Sequence, residues 1–320
     1  MRKSRRAVDA LVSLGAVTVG GVSLKIPFMT ASGTAGHDVE LNHFMPMNQL
    51  GATVVKSLFH EAWPGNPAPR VHLARAGMLN AVGLQGPGVQ TWLRESLPLF
   101  AMLHVVPVVS IWGRTVQEYT LAAEQLREAG DTIAAIEVNL SCPNLEGRSG
   151  IIAHDPSLAG QIISAVNAVA TVPVWAKLSA NTDRIVEVAT TVIDAGADAL
   201  TLVNTMLGMQ IDVATGHPTL GNGGGGLSGA AIHPIAVRAV HDVRIALPDA
   251  HIIGVGGISS GADAVEMMMA GANAVQVGTA SFADPAATWR IAQEAALIAQ
   301  KRGASSWGDI LSLVHCHKYN

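Results

Sequence analysis

The run Asn139-Leu140-Ser141-Cys142-Pro143-Asn144 places a thiol between two amides, directly after the apolar stretch Ala134-Ala135-Ile136-Glu137-Val138. A β-strand therefore ends where the cysteine begins, and strand ends are where α/β enzymes keep their chemistry. A cysteine there can act as a base, act as a nucleophile, or pack as a small inert residue. Other apolar runs also end on polar residues: Ser32, Lys56, Lys177, and Asn204 with Thr205. If those ends converge, two lysines and two asparagines describe a cationic pocket for a planar anion with amide-like edges. Two glycine-containing segments, Gly254-Val255-Gly256-Gly257-Ile258 and Val277-Gly278-Thr279-Ala280, lie near the end of the chain. Backbone N–H groups in such loops cradle phosphate in many barrels. His315-Cys316-His317 looks like a ligand cluster but lacks a second cysteine pair, so no metal is expected. No nucleophile elbow and no P-loop occurs.

The elements that must position these residues form a series. Val17–Val19, Gly20-Gly21 and Val22–Leu24 predict a hairpin with a two-glycine turn. Eight short apolar runs then read as buried parallel strands: 27–32, 53–56, 107–111, 134–139, 173–177, 199–204, 251–255 and 274–278. Helical periodicity fills most gaps, as in 116–129, 156–170, 182–195, 233–247 and 261–270. Ala195-Gly196-Ala197-Asp198-Ala199-Leu200 is echoed by Ala270-Gly271-Ala272-Asn273-Ala274-Val275 and more loosely by 50–55. Each copy puts a glycine at a helix stop before a strand. Eight strand–helix units predict a (β/α)8 TIM barrel of the α/β class. A doubly wound open sheet is disfavoured, because no Gly-x-Gly-x-x-Gly follows the first strand. Three connections, 58–88, 141–155 and 206–228, are longer than a barrel needs and follow strand C-terminal ends, as binding loops or lids do. The glycine-rich stretch 221–229 reads either as a mobile surface loop or as backbone that must approach a ligand closely.

Composition bounds the rest. Of 320 residues 49% are apolar and 14% charged, enough for a large core in one domain spanning 1–320, with an N-terminal extension over 1–16 and a C-terminal tail over 303–320. A formal net charge of −4 and the lack of a long basic block exclude nucleic acid as the expected partner. Arg2, Lys3, Arg5 and Arg6 read as a frayed, solvated end. No apolar run has the length of a membrane span, and residues 10–21 are interrupted by Gly15, Gly20 and Gly21 without a signal-peptide cleavage site. Two cysteines fit a reducing cytoplasm.

Together these residues resemble the class 1 dihydroorotate dehydrogenases, FMN enzymes of pyrimidine biosynthesis. The likeness runs from about Val17 to Phe282. It includes Ala31-Ser32-Gly33, Lys56-Ser57, Gly65-Asn66-Pro67, Pro69-Arg70, Asn80-Ala81-Val82-Gly83-Leu84-Gln85, Asn139–Asn144, Lys177-Leu178-Ser179, Asn204-Thr205, Gly225–Gly229, Gly256-Gly257 and Gly278-Thr279. Class 2 enzymes use a serine base and carry an N-terminal membrane-associating extension, so Cys142 and the short N-terminus point to class 1. Asn80–Gln85 and Asn204-Thr205-Met206-Leu207-Gly208 look like the B-type catalytic subunit. That type pairs with a second subunit carrying FAD and a [2Fe–2S] cluster, which passes electrons to NAD+; the A-type is a homodimer that uses fumarate. Ser110-Ile111-Trp112-Gly113 departs from the B-type, which has an asparagine-containing segment there.

The resemblance implies roles. Cys142 is the general base, and Lys177 lies by the N1/O2 side of the flavin. Lys56 touches flavin and the orotate carboxylate region. Asn80, Asn139, Asn144 and Asn204, with Ala81, Val82, Gly83, Leu84 and Thr205, hold the substrate. Ser32, Lys56, Ser57, Asn139, Lys177, Val203, Gly229, Gly256, Gly257, Gly278 and Thr279 hold FMN, the last few at its phosphate. A homodimer, or a heterotetramer with the FAD/iron–sulfur subunit, is implied as well. The dihydropyrimidine dehydrogenase type shares barrel, FMN and cysteine, but its motif continues Ser-Cys-Pro-His where Asn144 stands here. A barrel that binds FMN without turnover is the remaining alternative.

Overall fold

A computed structural model describes residues 2–141 and 152–316. The hairpin of β1 (Val17–Val19) and β2 (Val22–Leu24) forms as expected, in register Val17 to Leu24 and Val19 to Val22. Eight parallel strands then close into a barrel: β3 (Phe28–Thr30), β4 (Ala52–Leu58), β7 (Pro107–Ile111), β8 (Ala135–Asn139), β9 (Val174–Leu178), β10 (Ala199–Leu202), β13 (Ile252–Val255) and β14 (Ala274–Val277). All eight expected runs are these strands, and β14 returns to β3 to close the circle.

Side chains of a strand alternate between faces, and the barrel strands are buried on both. The outward set packs under the helices α2 (Val89–Glu95), α3 (Leu97–Met102), α4 (Val116–Leu126), α5 (Pro156–Val169), α6 (Ile185–Asp194), α7 (His233–Ala246), α8 (Gly261–Met269), α9 (Ala280–Ala283) and α10 (Ala287–Lys301). The expected helices occur within a few residues of their bounds, and α6 and α8 stop at Gly196 and Gly271, both at positive φ (+101° and +126°). The inward set makes a separate layer of Met29, Ala52, Val54, Val108, Ala135, Trp175, Ala199, Ile253 and Ala274. Val19, Val22 and Leu24 of the hairpin plug that layer from the N-terminal end, and Trp175 donates its indole N–H to Gly20 O at 3.1 Å. The barrel floor is therefore dry, and polar groups are confined to the layers above it.

Three expectations change. First, the basic N-terminus is not frayed: α1 (Arg2–Ser13) docks on α10. Ala7, Ala10, Leu11 and Leu14 are buried with the i, i+3, i+4, i+7 spacing of one helix face, while Arg5 and Arg6 stay exposed. Second, the connections 58–88 and 206–228 are not loops alone. They hold β5 (Val71–Ala74), β6 (Gly77–Asn80), β11 (Met206–Gly208) and β12 (Gly225–Ser228), an antiparallel sheet in the order β11-β12-β6-β5 beside the barrel mouth. Third, residues from the tail join the core: Trp307 is buried edge-on to Phe28 with ring centroids 5.3 Å apart. No helix among the described residues is long and apolar enough to cross a membrane.

Candidate active site

Five hydroxyl and amide side chains from separate strands meet at the C-terminal mouth. Ser57, on β4, is central. Its Oγ shares hydrogen bonds with Ser110 Oγ at 2.8 Å and Ser32 Oγ at 3.3 Å, and accepts from Asn139 Nδ2 at 3.4 Å. Asn139 Oδ1 accepts from Asn204 Nδ2 at 3.1 Å and from the backbone N–H of Ser141 at 3.2 Å. Asn204 Oδ1 in turn accepts the N–H of Thr205 at 2.7 Å. Both amide orientations are thus fixed by their partners. Ser110, in the segment that departs from the B-type pattern, contributes a buried hydroxyl from the third strand that holds Ser57. Behind this row the Tyr119 hydroxyl donates to Asn139 O at 2.6 Å, tying α4 to the end of β8. The chain that leads on to Cys142 therefore leaves from an anchored strand end. Cys142 and Asn144 themselves lie outside the described residues.

The two lysines occupy different surroundings. Lys56 is half-buried and donates to Gln85 O at 2.6 Å; Arg70 donates to the Gln85 side-chain oxygen at 2.6 Å. Burial and the neighbouring Arg70 charge lower the Lys56 pKa from its ordinary value. His37 is pushed down to about 4, first by burial and then by the Lys56 charge. Two cations around one glutamine describe a place that favours an anion. Lys177 is buried, sits beside Asn139 in strand register, and pairs with Glu137 Oε1 at 3.3 Å. Glu137 is wholly buried and also accepts from Gln276 Nε2 at 2.8 Å and Thr201 Oγ1 at 3.1 Å.

The small sheet forms one wall. Asn80 ends β6 and donates to Gly226 O at 3.3 Å, and Ala81–Leu84 continue from it, with Asn66 holding Ala81 O at 3.0 Å. The glycine-rich stretch is not a loop alone. Gly225–Ser228 is a strand, and a side chain on Gly225 or Gly226 would collide with Asn80 O or the Thr205 hydroxyl. The close approach is to residues of the site itself.

At the opposite rim, Gly229, Gly256, Gly257, Gly278 and Thr279 gather at the ends of β12, β13 and β14. Thr279 Oγ1 donates to Ser228 Oγ at 2.8 Å. Gly257 has φ +67°, and a side chain there would meet His233 Cβ at 2.7 Å and Gly229 O at 2.8 Å. These backbones pack with no room for side chains, leaving peptide N–H groups as the rim's polar lining. Val203 is buried beneath, its N–H bonded to Val255 O at 2.8 Å.

A family model described as dihydroorotate dehydrogenase matches residues 14–298. The chain belongs to the dihydroorotate dehydrogenase family. It is 41% identical over 300 residues to the dihydroorotate dehydrogenase B (NAD(+)) catalytic subunit of Pelobacter propionicus, covering 94% of this chain and 98% of that one. It is 44% identical to the subunit of the same name from Alkaliphilus oremlandii, over 86% of this chain and 90% of the other. For the Anoxybacillus flavithermus subunit of that name the values are 46%, 84% and 86%.

Within the dihydroorotate dehydrogenase frame, Ser32, Asn139 and Asn204, expected at strand ends, form one hydrogen-bonded row with Ser57, which the resemblance alone had brought in. Tyr119, Glu137, Thr201, Gln276 and His37 were not expected there, and Ser110 was named only within the segment that departs from the B-type. A carboxylate at an inward position of a buried strand was the available signal for Glu137.

Proposed function

We propose that this chain is the FMN-binding catalytic subunit that oxidises (S)-dihydroorotate to orotate in pyrimidine biosynthesis. The observation that carries the reading is the Ser57–Asn139–Asn204 row at the barrel mouth, in a chain of this family. Its amides present fixed donors and acceptors of the kind a pyrimidine edge needs, and a polar edge left unmatched there is strongly rejected.

The residues present fit FMN. The rim of Gly229, Gly256, Gly257 and Gly278, which carry no side chains, with Thr279 beside them, suits a phosphate held by peptide N–H groups. Ser32, Ser57, Val203 and Lys177 would line the ring site, and Lys56, with its lowered pKa and cationic neighbour, would serve flavin and the substrate carboxylate together. FMN, when bound, accepts the hydride from C6 of the substrate. Cys142 takes the C5 proton; a thiol titrating near ~8.5 is well matched to so weak an acid. Asn80, Asn139, Asn144, Asn204 and Thr205, with Ala81–Leu84, hold the ring against the base. Lys177 supplies fixed positive charge in a water-poor site.

Electrons then pass to NAD+ through a partner subunit carrying FAD and a [2Fe–2S] cluster, in a heterotetramer built on a homodimer in the cytoplasm. The names of the related subunits support this acceptor. Steady-state assays with NAD+, fumarate and artificial acceptors, with and without such a partner, test it. Turnover of dihydrouracil in place of dihydroorotate would reassign the substrate.

A further inference from the structure

Glu137 has no part in the chemistry described so far, yet it is a fully buried carboxylate inside the barrel. Its side chain is fully buried, as is most of its partner Lys177. The same inward face one layer down is filled by Ala135, Trp175, Ala199 and Ala274, so an apolar filling of this layer was open to the fold. Replacing a buried ion pair by well-packed apolar groups is often neutral or stabilising, which makes such a pair a poor device for stability alone. The carboxylate is also deliberately satisfied. Lys177 Nζ at 3.3 Å, Thr201 Oγ1 at 3.1 Å and Gln276 Nε2 at 2.8 Å come from three different strands, and all three donate to an acceptor-only group.

The layer order gives this arrangement its meaning. Glu137 and Asn139 share one face of β8, two residues apart, and Asn139 is opposite Lys177 in the β8–β9 register. Thr201 is opposite Lys177 in the β9–β10 register. The carboxylate thus sits one layer beneath the mouth, against the underside of the ammonium that the proposed function aims at the flavin. We infer that Glu137 is a positioning residue that holds Lys177 in place and offsets its charge, and so sets the reduction potential of the bound flavin. This rests on the FMN reading above. The sign follows from charge. The pair is neutral as a unit; without the carboxylate the site gains net positive charge, favours the electron-rich reduced flavin, and raises the potential.

The experiment compares the FMN-loaded wild-type protein with Glu137→Gln, which keeps the shape and one acceptor oxygen but removes the charge. An anaerobic titration against a reference dye reads the two-electron midpoint potential. The expected result is a more positive potential in Glu137→Gln, at least tenfold in the reduction equilibrium, or about 30 mV. Glu137→Asp keeps the charge but withdraws it by one methylene, and should shift the potential in the same direction by less. An unchanged potential in Glu137→Gln with FMN bound overturns the inference. If Glu137→Gln does not fold, an unchanged potential in Glu137→Asp does so. Dihydroorotate turnover by the wild type is a separate readout: a protein that holds FMN but does not oxidise dihydroorotate ends the substrate reading and leaves the potential comparison standing. A wild-type chain that holds no FMN removes both.

Discussion

Asn204 Nδ2 donates to Asn139 Oδ1 across 3.1 Å, joining the end of β8 to the segment after β10. The same Asn139 reaches Ser57 with its other end, so three strands of the barrel share one amide. A substrate that meets this row meets groups already turned to receive it.

Asn204→Ala removes the donor and leaves Asn139 Oδ1 with the Ser141 N–H. Losing one partner of a buried polar pair costs ~1–3 kcal/mol, so kcat/KM for dihydroorotate should fall roughly 10- to 100-fold. Steady-state kinetics checks this, with circular dichroism showing an unchanged fold.

Ser110→Ala tests the hydroxyl contact at the third strand. Ser57 would lose its 2.8 Å partner in a dry setting. The expected loss of stability is about 1–2 kcal/mol by urea unfolding. Wild-type stability in the variant would mean that the Ser57–Ser110 contact is incidental.

How much of this was legible beforehand depended on burial. Barrel strands are buried on both faces, so each is a short continuous apolar run, and all eight could be read. The small sheet could not. Val71–Ala74 has side chains that alternate only between exposed and half-buried, and Gly225–Ser228 has two glycines, against every strand preference. Its glycines are needed because Asn80 and Thr205 press on them, a contact between segments 145 or fewer residues apart in sequence that no local pattern encodes. The polar strand ends were legible as a set, but which hydroxyl meets which amide depends on barrel closure. The N-terminal helix was readable from Ala7, Ala10, Leu11 and Leu14; the four basic residues before them drew the eye to charge instead.

Gly257→Ala should loosen FMN. The residue sits at φ +67°, and its new methyl would press on His233 Cβ and Gly229 O. Strain of about 1–3 kcal/mol must be relieved by moving the rim, so FMN affinity should drop about tenfold or more, read by fluorescence of the released flavin.

His37 gives stability a pH dependence. Its folded-state value, about 4, lies below the ordinary 6.5. Folding therefore favours the neutral ring: the contribution is complete above pH 6.5 and is lost as pH falls toward 4. Between pH 7.5 and 5, urea unfolding of the wild type should lose roughly 1–2 kcal/mol more than His37→Asn, a figure already reduced for partial exposure. Parallel profiles for the two proteins would contradict this.

The central claim is that the barrel mouth oxidises dihydroorotate at a bound flavin with Cys142 as base. Its most direct test mixes the oxidised, FMN-loaded protein with dihydroorotate under anaerobic conditions and follows the visible flavin absorbance. The account predicts rapid bleaching in the wild type. For Cys142→Ala it predicts bound FMN and, at neutral pH, bleaching slowed roughly 10²-fold or more. A wild-type flavin that stays yellow, or a Cys142→Ala flavin that bleaches at the wild-type rate, would contradict it.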